Sequence, residues 1–279
     1  MLTVLAVLSG ACAAGPEMDR MVGDLAEFRV HQGVYAPAAP VERSSEEQTA
    51  QDISALFFAA ALADSVLKGR EVVGAEGVAA AREHGRMAAD SGNCDGMLFS
   101  AGVLRIVQER DPRVERMAAS CTLERLAEHG VTRENVGGVA VALGILERMG
   151  YSGDIPELTM ELFDVEDRED RYRAWQALAL MPRLDNPEDT REHFSEQLAE
   201  AAVFLRNPDS DALLGEVIAA YQAPRADRDM GGLSPELERW LSDARGCEGA
   251  DSFYRVSPEA DVCTLEDAWT GVTSGLIPR

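Results

Sequence analysis

Five times in this chain a helix-capping residue is followed at once by proline: Asp111-Pro112, Asn186-Pro187, Asn207-Pro208, Ser234-Pro235 and Ser257-Pro258. An Asp, Asn or Ser side chain accepts hydrogen bonds from the free amides of a first helical turn. Proline at the first helical position gives up an amide that had no partner there. Ser44-Ser45-Glu46-Glu47 has the Ser-x-x-Glu spacing of a capping box, and Asp154-Ile155-Pro156-Glu157 is an acidic cap with Glu three later. Gly69, Gly92, Gly130, Gly150 and Gly246 stand where helices are expected to close. No long alternating Val/Ile/Thr run occurs, so strands are expected to be scarce. The expected fold class is all-α.

The helices fall into pairs, near 45–69 with 77–91, 96–109 with 112–129, 135–149 with 155–164, 169–182 with 187–205, and 209–222 with 235–245. The first helix carries a stripe of Ile53, Leu56, Ala60, Ala63 and Leu67 at helical spacing. Its apolar stretch ISALFFAAALA is too short to span a bilayer, so it reads as core. Small apolar segments at Ala61, Ala101, Ala140, Ala174 and Leu213 recur at offsets of 40, 39, 34 and 39 residues. A hairpin repeating at this length predicts a short α-solenoid or right-handed superhelical array, each pair burying its apolar face on the next. An irregular bundle of short helices is the competing arrangement.

The run 111–119, DPRVERMAA, resembles the Asp-Pro-x-Val-Arg-x-x-Ala start of a HEAT-like helix, with the Arg displaced to Glu115-Arg116. Residues 139–149 followed by Gly150 and Asp154-Ile-Pro-Glu-Leu, and residues 167–178, DREDRYRAWQAL, are similar to such hairpins. Tetratricopeptide-like hairpins are a close rival, although their Trp-Leu-Gly-Tyr pattern is not reproduced. Either resemblance implies a scaffold that binds proteins.

The chain begins MLTVLAVLSGACAAG. A short apolar run followed by small residues fits a secretory signal with Ala11-x-Ala13 as the cleavage site, although a basic n-region is missing. The segment also resembles a bacterial lipoprotein signal, in which Cys12 would be acylated. Ser9 stands where such signals usually carry a large aliphatic residue. Either route removes Cys12 from the thiol pool and leaves Cys94, Cys121, Cys247 and Cys263. In an oxidising compartment these four can form two disulfides, with three possible connectivities. The sequence-local one pairs Cys94 with Cys121 and Cys247 with Cys263. No CxxC is present and no His lies near these cysteines, so no metal site is expected.

Charge is the strongest deviation in composition: 49 Asp+Glu against 26 Lys+Arg, a formal −23. Such a surface repels nucleic acid phosphates and anionic membrane surfaces. Lys68 is the one lysine, hence the one side chain suited to a Schiff base. The histidines His31, His84, His129 and His193 form no HExxH or HxH, and GxSxG, Walker and GxGxxG motifs are missing. The run 164–170 is acidic but lacks EF-hand spacing, so it reads as a solvated turn feeding the next helix. Gly137-Gly138 reads as a close-packing site at a helix start, and Trp175, Trp240 and Trp269 as packing residues.

The expected organisation is a signal at 1–13, a linker at 14–43 with a short helix near 18–28, helical repeats at 44–246, and a disulfide-linked cap at 247–279. The function expected is an exported, periplasmic or outer-membrane lipid-anchored scaffold that binds a protein or peptide partner. Neither a cofactor nor a catalytic residue is assigned, and membrane attachment is expected only through Cys12. Two alternatives stand beside it: an exported carboxylate-dependent hydrolase or wall-modifying enzyme on an α-helical scaffold, and a structural envelope lipoprotein.

Overall fold

The structure, a computed structural model, describes residues 16–31, 34–36, 38–39, 53–151, 158–180, 194–223 and 233–277. The expected signal segment with Cys12, the expected capping box at Ser44–Glu47, the expected cap at Asp154, Asn186-Pro187 and His193 lie outside the described residues. Eleven α-helices run in chain order among those described: α1 (Pro16–Asp24), α2 (Ile53–Asp64), α3 (Gly69–Ser91), α4 (Cys94–Ile106), α5 (Pro112–His129), α6 (Val136–Met149), α7 (Arg168–Ala179), α8 (Ser195–Arg206), α9 (Leu214–Gln222), α10 (Pro235–Asp243) and α11 (Leu265–Ser274). Six short strands accompany them: β1 (Arg29–His31), β2 (Val34–Tyr35), β3 (Ala38–Ala39), β4 (Arg245–Cys247), β5 (Ala250–Tyr254) and β6 (Cys263–Thr264). They form three antiparallel two-stranded sheets, β1–β2, β3–β6 and β4–β5. The protein is therefore mostly helical, with few strands.

Helix α2 is the centre of the packing. Ten of its twelve residues are buried, so it is covered on all sides rather than along one stripe. It packs against α3, α4 and α11. Each of its fully buried phenylalanines contributes about 1.5–3 kcal/mol by leaving water. The expected stripe fails at one end. Helix α2 stops at Asp64, and Leu67 is 93% exposed with a left-handed φ of 62°. Gly69 opens α3 instead of closing α2. A Cβ there would stand 2.6 Å from Ile106 Cγ2 and 3.2 Å from the Ala60 carbonyl oxygen, so glycine is needed for close approach. A kink inside α3 falls at Gly74, whose φ of 62° and ψ of −177° separate a short lead from the expected 77–91 helix.

The cap-proline signal is half realised. Asp111 Oδ1 accepts hydrogen bonds from the Arg113 and Val114 amides, and Ser234 Oγ accepts one from the Leu237 amide. Asn207 instead follows the last residue of α8, and the next helix waits until Leu214. Pro258 lies in a turn, and the helix beyond it starts from Thr264, whose Oγ1 accepts from the Asp267 amide. In the stretch expected to be helical at 155–164, the described residues hold a 3₁₀ turn, Met160–Phe163.

Sequential helices pack on one another from α2 through α5, and α4 also meets α6. Helix α7 touches α6, α8 and α9, and α9 in turn touches α11. The stretch expected as a linker carries α1, with Met18, Met21, Leu25, Phe28 and Tyr35 all buried. It docks on the C-terminal segment. Rings of Phe28 and Phe253 are 4.6 Å apart, Glu17 pairs with Arg245 at 2.8 Å, and Asp24 Oδ2 accepts from the Ser252 amide and hydroxyl at 2.9 and 2.5 Å. Strand β3 pairs Ala38 with Thr264 and Ala39 with Cys263.

Candidate functional site

The sequence-local cysteine pairing is the one found: Cys94–Cys121 and Cys247–Cys263, with Cα atoms 5.6 and 6.0 Å apart. The first bridge ties the opening turn of α4 to the middle of α5. The residues that follow its two cysteines, Asp95 and Thr122, line a cavity of about 760 Å³. That size suits a drug-sized ligand or a few side chains.

Five helices and one turn build the cavity. Helix α2 supplies Ser54 and Phe58, and α4 supplies Asp95, Leu98 and Phe99. One stripe of α5 supplies Thr122, Arg125, Leu126 and His129. The turn into α6 gives Thr132, Glu134 and Asn135, and α6 gives Gly138, Val139, Val141, Ala142 and Leu143. Glu266 of α11 completes the lining. Phe58, Leu98, Leu126, Val141, Ala142 and Leu143 are buried, whereas Asp95, Arg125, His129, Glu134 and Glu266 are exposed. The cavity thus has an apolar floor and a charged rim.

The floor is backed by an aromatic cluster. Phe58 lies 5.8 Å from Phe99 and 5.4 Å from Trp269, and Phe57 lies 5.7 Å from Trp269, ring centre to ring centre. Such offsets hold the rings in tilted or edge-on contact. On the rim, the Arg125 guanidinium meets Asp95 through two hydrogen bonds, 2.6 and 3.5 Å long. Asn135 secures the turn: its Oδ1 accepts from the Thr132 amide at 2.8 Å and its Nδ2 donates to the Gly130 carbonyl. A hydrogen bond from Thr132 holds the Glu134 carboxyl below the usual range. Thr122 is 6% exposed, and its Oγ1 has no hydrogen-bond partner.

Other residues singled out from the sequence are placed elsewhere. His84 Nδ1 lies 3.2 Å from Ser100 Oγ, but Ser100 is wholly buried between helices and out of reach of a substrate. His129 stands on the cavity rim at the end of α5, with Glu128 3.9 Å away. His31 contributes backbone to β1. Lys68 is ion-paired with Asp19 of α1 at 3.0 Å. Within the acidic run, Asp167 caps α7 by accepting from the Asp170 amide. Asp170 is largely buried and paired with Arg133 at 3.1 Å, so this part of the run is built into the packing. Gly137 lies against Gln176, whose side-chain amide would be 3.0 Å from a Cβ there, and Gly138 opens onto the cavity. Trp175, Trp240 and Trp269 are all buried.

A second polar cluster lies behind α11. Arg168 donates to both oxygens of Glu216, at 2.6 and 2.5 Å, and to Asp211. Burial pushes the Tyr172 phenol well above its ordinary pKa, with Asp267, Glu266 and Glu216 adding to the effect. Burial also raises the Asp267 carboxyl, opposed by a hydrogen bond from Thr264. A Cβ at Gly215 would sit 3.0 Å from the Tyr172 hydroxyl and 3.5 Å from Asp267 Oδ1, so the cluster leaves no space for a ligand at that point.

Among the described residues no three His, Cys, Asp or Glu side chains converge as metal donors, and no helix is long and apolar enough to cross a membrane. Asp95, Thr122, Arg125, Glu134 and Glu266 escaped the sequence reading, since each is an ordinary helix or turn residue. The one available signal was adjacency, because Asp95 and Thr122 directly follow the cysteines that bridge. Comparison with family models, with curated proteins and with solved structures finds no match to this chain.

Proposed function

We propose that this chain is a non-catalytic binding protein of the cell envelope that receives part of a protein or peptide partner in the cavity between α2, α4, α5 and α6. The observation that carries the reading is the cavity itself, about 760 Å³, with an apolar floor under a charged rim. Two disulfides favour an oxidising compartment, hence export, with or without acylation at Cys12. Serial packing of α2 to α5 is consistent with a helical-repeat scaffold, whereas the docking of α11 on α2 joins late and early elements as a closed bundle would. Filling the cavity tests the reading. Val139→Trp, on the half-buried wall of α6, should abolish recovery of the partner that the wild-type chain retains from envelope extracts. Retention of the same partner by a folded V139W variant would refute it.

The hydrolase alternative draws on one observation, the carboxyls of Asp95, Glu134 and Glu266 around a single cavity. Glu134 is held ionised, which suits a base or nucleophile but not the general acid that glycoside cleavage also needs. Turnover of wall polysaccharide that disappears in Glu134→Gln would favour this reading.

A further inference from the structure

We infer that the cavity selects a basic, amphipathic peptide segment, with an apolar side chain on the floor, Lys or Arg at the rim, and a polar group against the Thr122 hydroxyl. The inference rests on the binding reading above and adds the chemistry of the occupant. Three carboxylates, Asp95, Glu134 and Glu266, line the cavity against one lining guanidinium, Arg125, a formal −2 for these four side chains, with Arg133 and Arg173 acting on Glu134 from outside the lining. The chain as a whole carries −23, so its field draws cations towards the same mouth. An acidic or strongly anionic partner would meet repulsion on both scales.

The second, independent observation lies deeper. Buried hydroxyls are nearly always hydrogen-bonded, yet Thr122 Oγ1 is buried in the cavity wall without a partner. A hydroxyl both donates and accepts, so it suits a peptide amide or carbonyl brought in behind the side chain that fills the floor. Phe58 and Phe99, in edge-on contact with ring centres 5.8 Å apart, line the cavity that side chain would fill.

Calorimetric titration of the disulfide-intact full chain tests this with four blocked peptides: Lys-Leu-Phe-Lys, Gln-Leu-Phe-Gln, Glu-Leu-Phe-Glu and Lys-Gly-Gly-Lys. The basic apolar peptide should bind about 10-fold or more tightly than the acidic one at low salt, and the gap should narrow as salt screens the rim. Lys-Gly-Gly-Lys should not bind measurably. Thr122→Val keeps the shape and removes the hydroxyl. It should weaken the basic apolar peptide about 5-fold to 10-fold while leaving thermal stability unchanged or raised. Equal affinity for the basic, neutral and acidic apolar peptides would overturn the charge selection and leave the binding reading standing. Unchanged affinity in T122V would overturn the role of the hydroxyl. Failure of all four peptides to bind would overturn the inference together with the cavity reading.

Discussion

Replacing both Cys94 and Cys121 with serine should cost this protein about 3.5 kcal/mol. The bridge closes a loop of 27 residues. In the chain-entropy model the cross-link removes about 2.1 + 1.5R ln n cal/mol/K from the unfolded ensemble, which for this loop is about 12 cal/mol/K, or about 3.5 kcal/mol at 25 °C. Both cysteines are half-buried, so serine hydroxyls at these positions still reach water and add little further penalty. The adjacent Asp95–Arg125 pair is exposed on both sides and retains at most about 1 kcal/mol of the lost tether. The Cys247–Cys263 loop spans 16 residues, about 3 kcal/mol by the same formula. Its two sulfurs are buried, however, so serines there strand hydroxyls in the core and cost about 1–3 kcal/mol more. The C-terminal pair should therefore prove the more damaging to remove despite its shorter loop. Urea unfolding of the two double variants reads both quantities. The C94S/C121S variant should lose about 3–4 kcal/mol and show a steeper urea dependence, because its unfolded chain exposes more surface. A loss under about 1 kcal/mol with an unchanged slope would refute the reasoning, since no constraint on the unfolded chain would then have been removed.

Two further outcomes follow from the cluster behind α11. Arg168→Met leaves Glu216, 5% exposed, without its guanidinium, and should cost about 3 kcal/mol by urea denaturation. That figure sits at the low end for a broken buried pair because Arg168 is itself 38% exposed; a loss below about 1 kcal/mol would count against the pair. Burial raises the Asp267 pKa above its unfolded value, so its contribution is fully present below that unfolded value and is lost as pH rises through the folded one. Asp267→Asn should accordingly gain stability relative to wild type as pH rises above about 4, the ordinary carboxylate value, and a gap independent of pH would sink the assignment.

Local chemistry was legible where a signal acts within one turn. Asp111 and Ser234 cap helices because their amide partners lie two or three residues ahead. Asn207 carries the same letters, but the preceding helix claims it as an end. Leu67 fits a helical stripe, yet α2 and α3 must turn sharply to pack, and the turn expels it to solvent. Helix α2 shows little periodicity because its neighbours cover every face. The cavity was illegible for a different reason. Its rim joins Asp95, Arg125, Glu134 and Glu266 from three helices and a turn, and no local pattern records that they meet. The cysteines conveyed that two disulfides could form but left three pairings open, and the structure contains the sequence-local one.

The clasp between residues 16–39 and 245–264 has a consequence for how the chain matures. Asp24 meets Ser252 across 228 residues, and Phe28 meets Phe253. Contacts at such separation form only after the intervening loop has been brought together, which slows them relative to hairpins such as α4–α5. The first helix therefore waits for the last-made strands. Until β5 emerges, Met18, Met21 and Phe28 lack the surface that buries them in the finished fold. A nascent or truncated chain would carry that apolar face uncovered, a handle for chaperones and proteases that the completed protein withdraws.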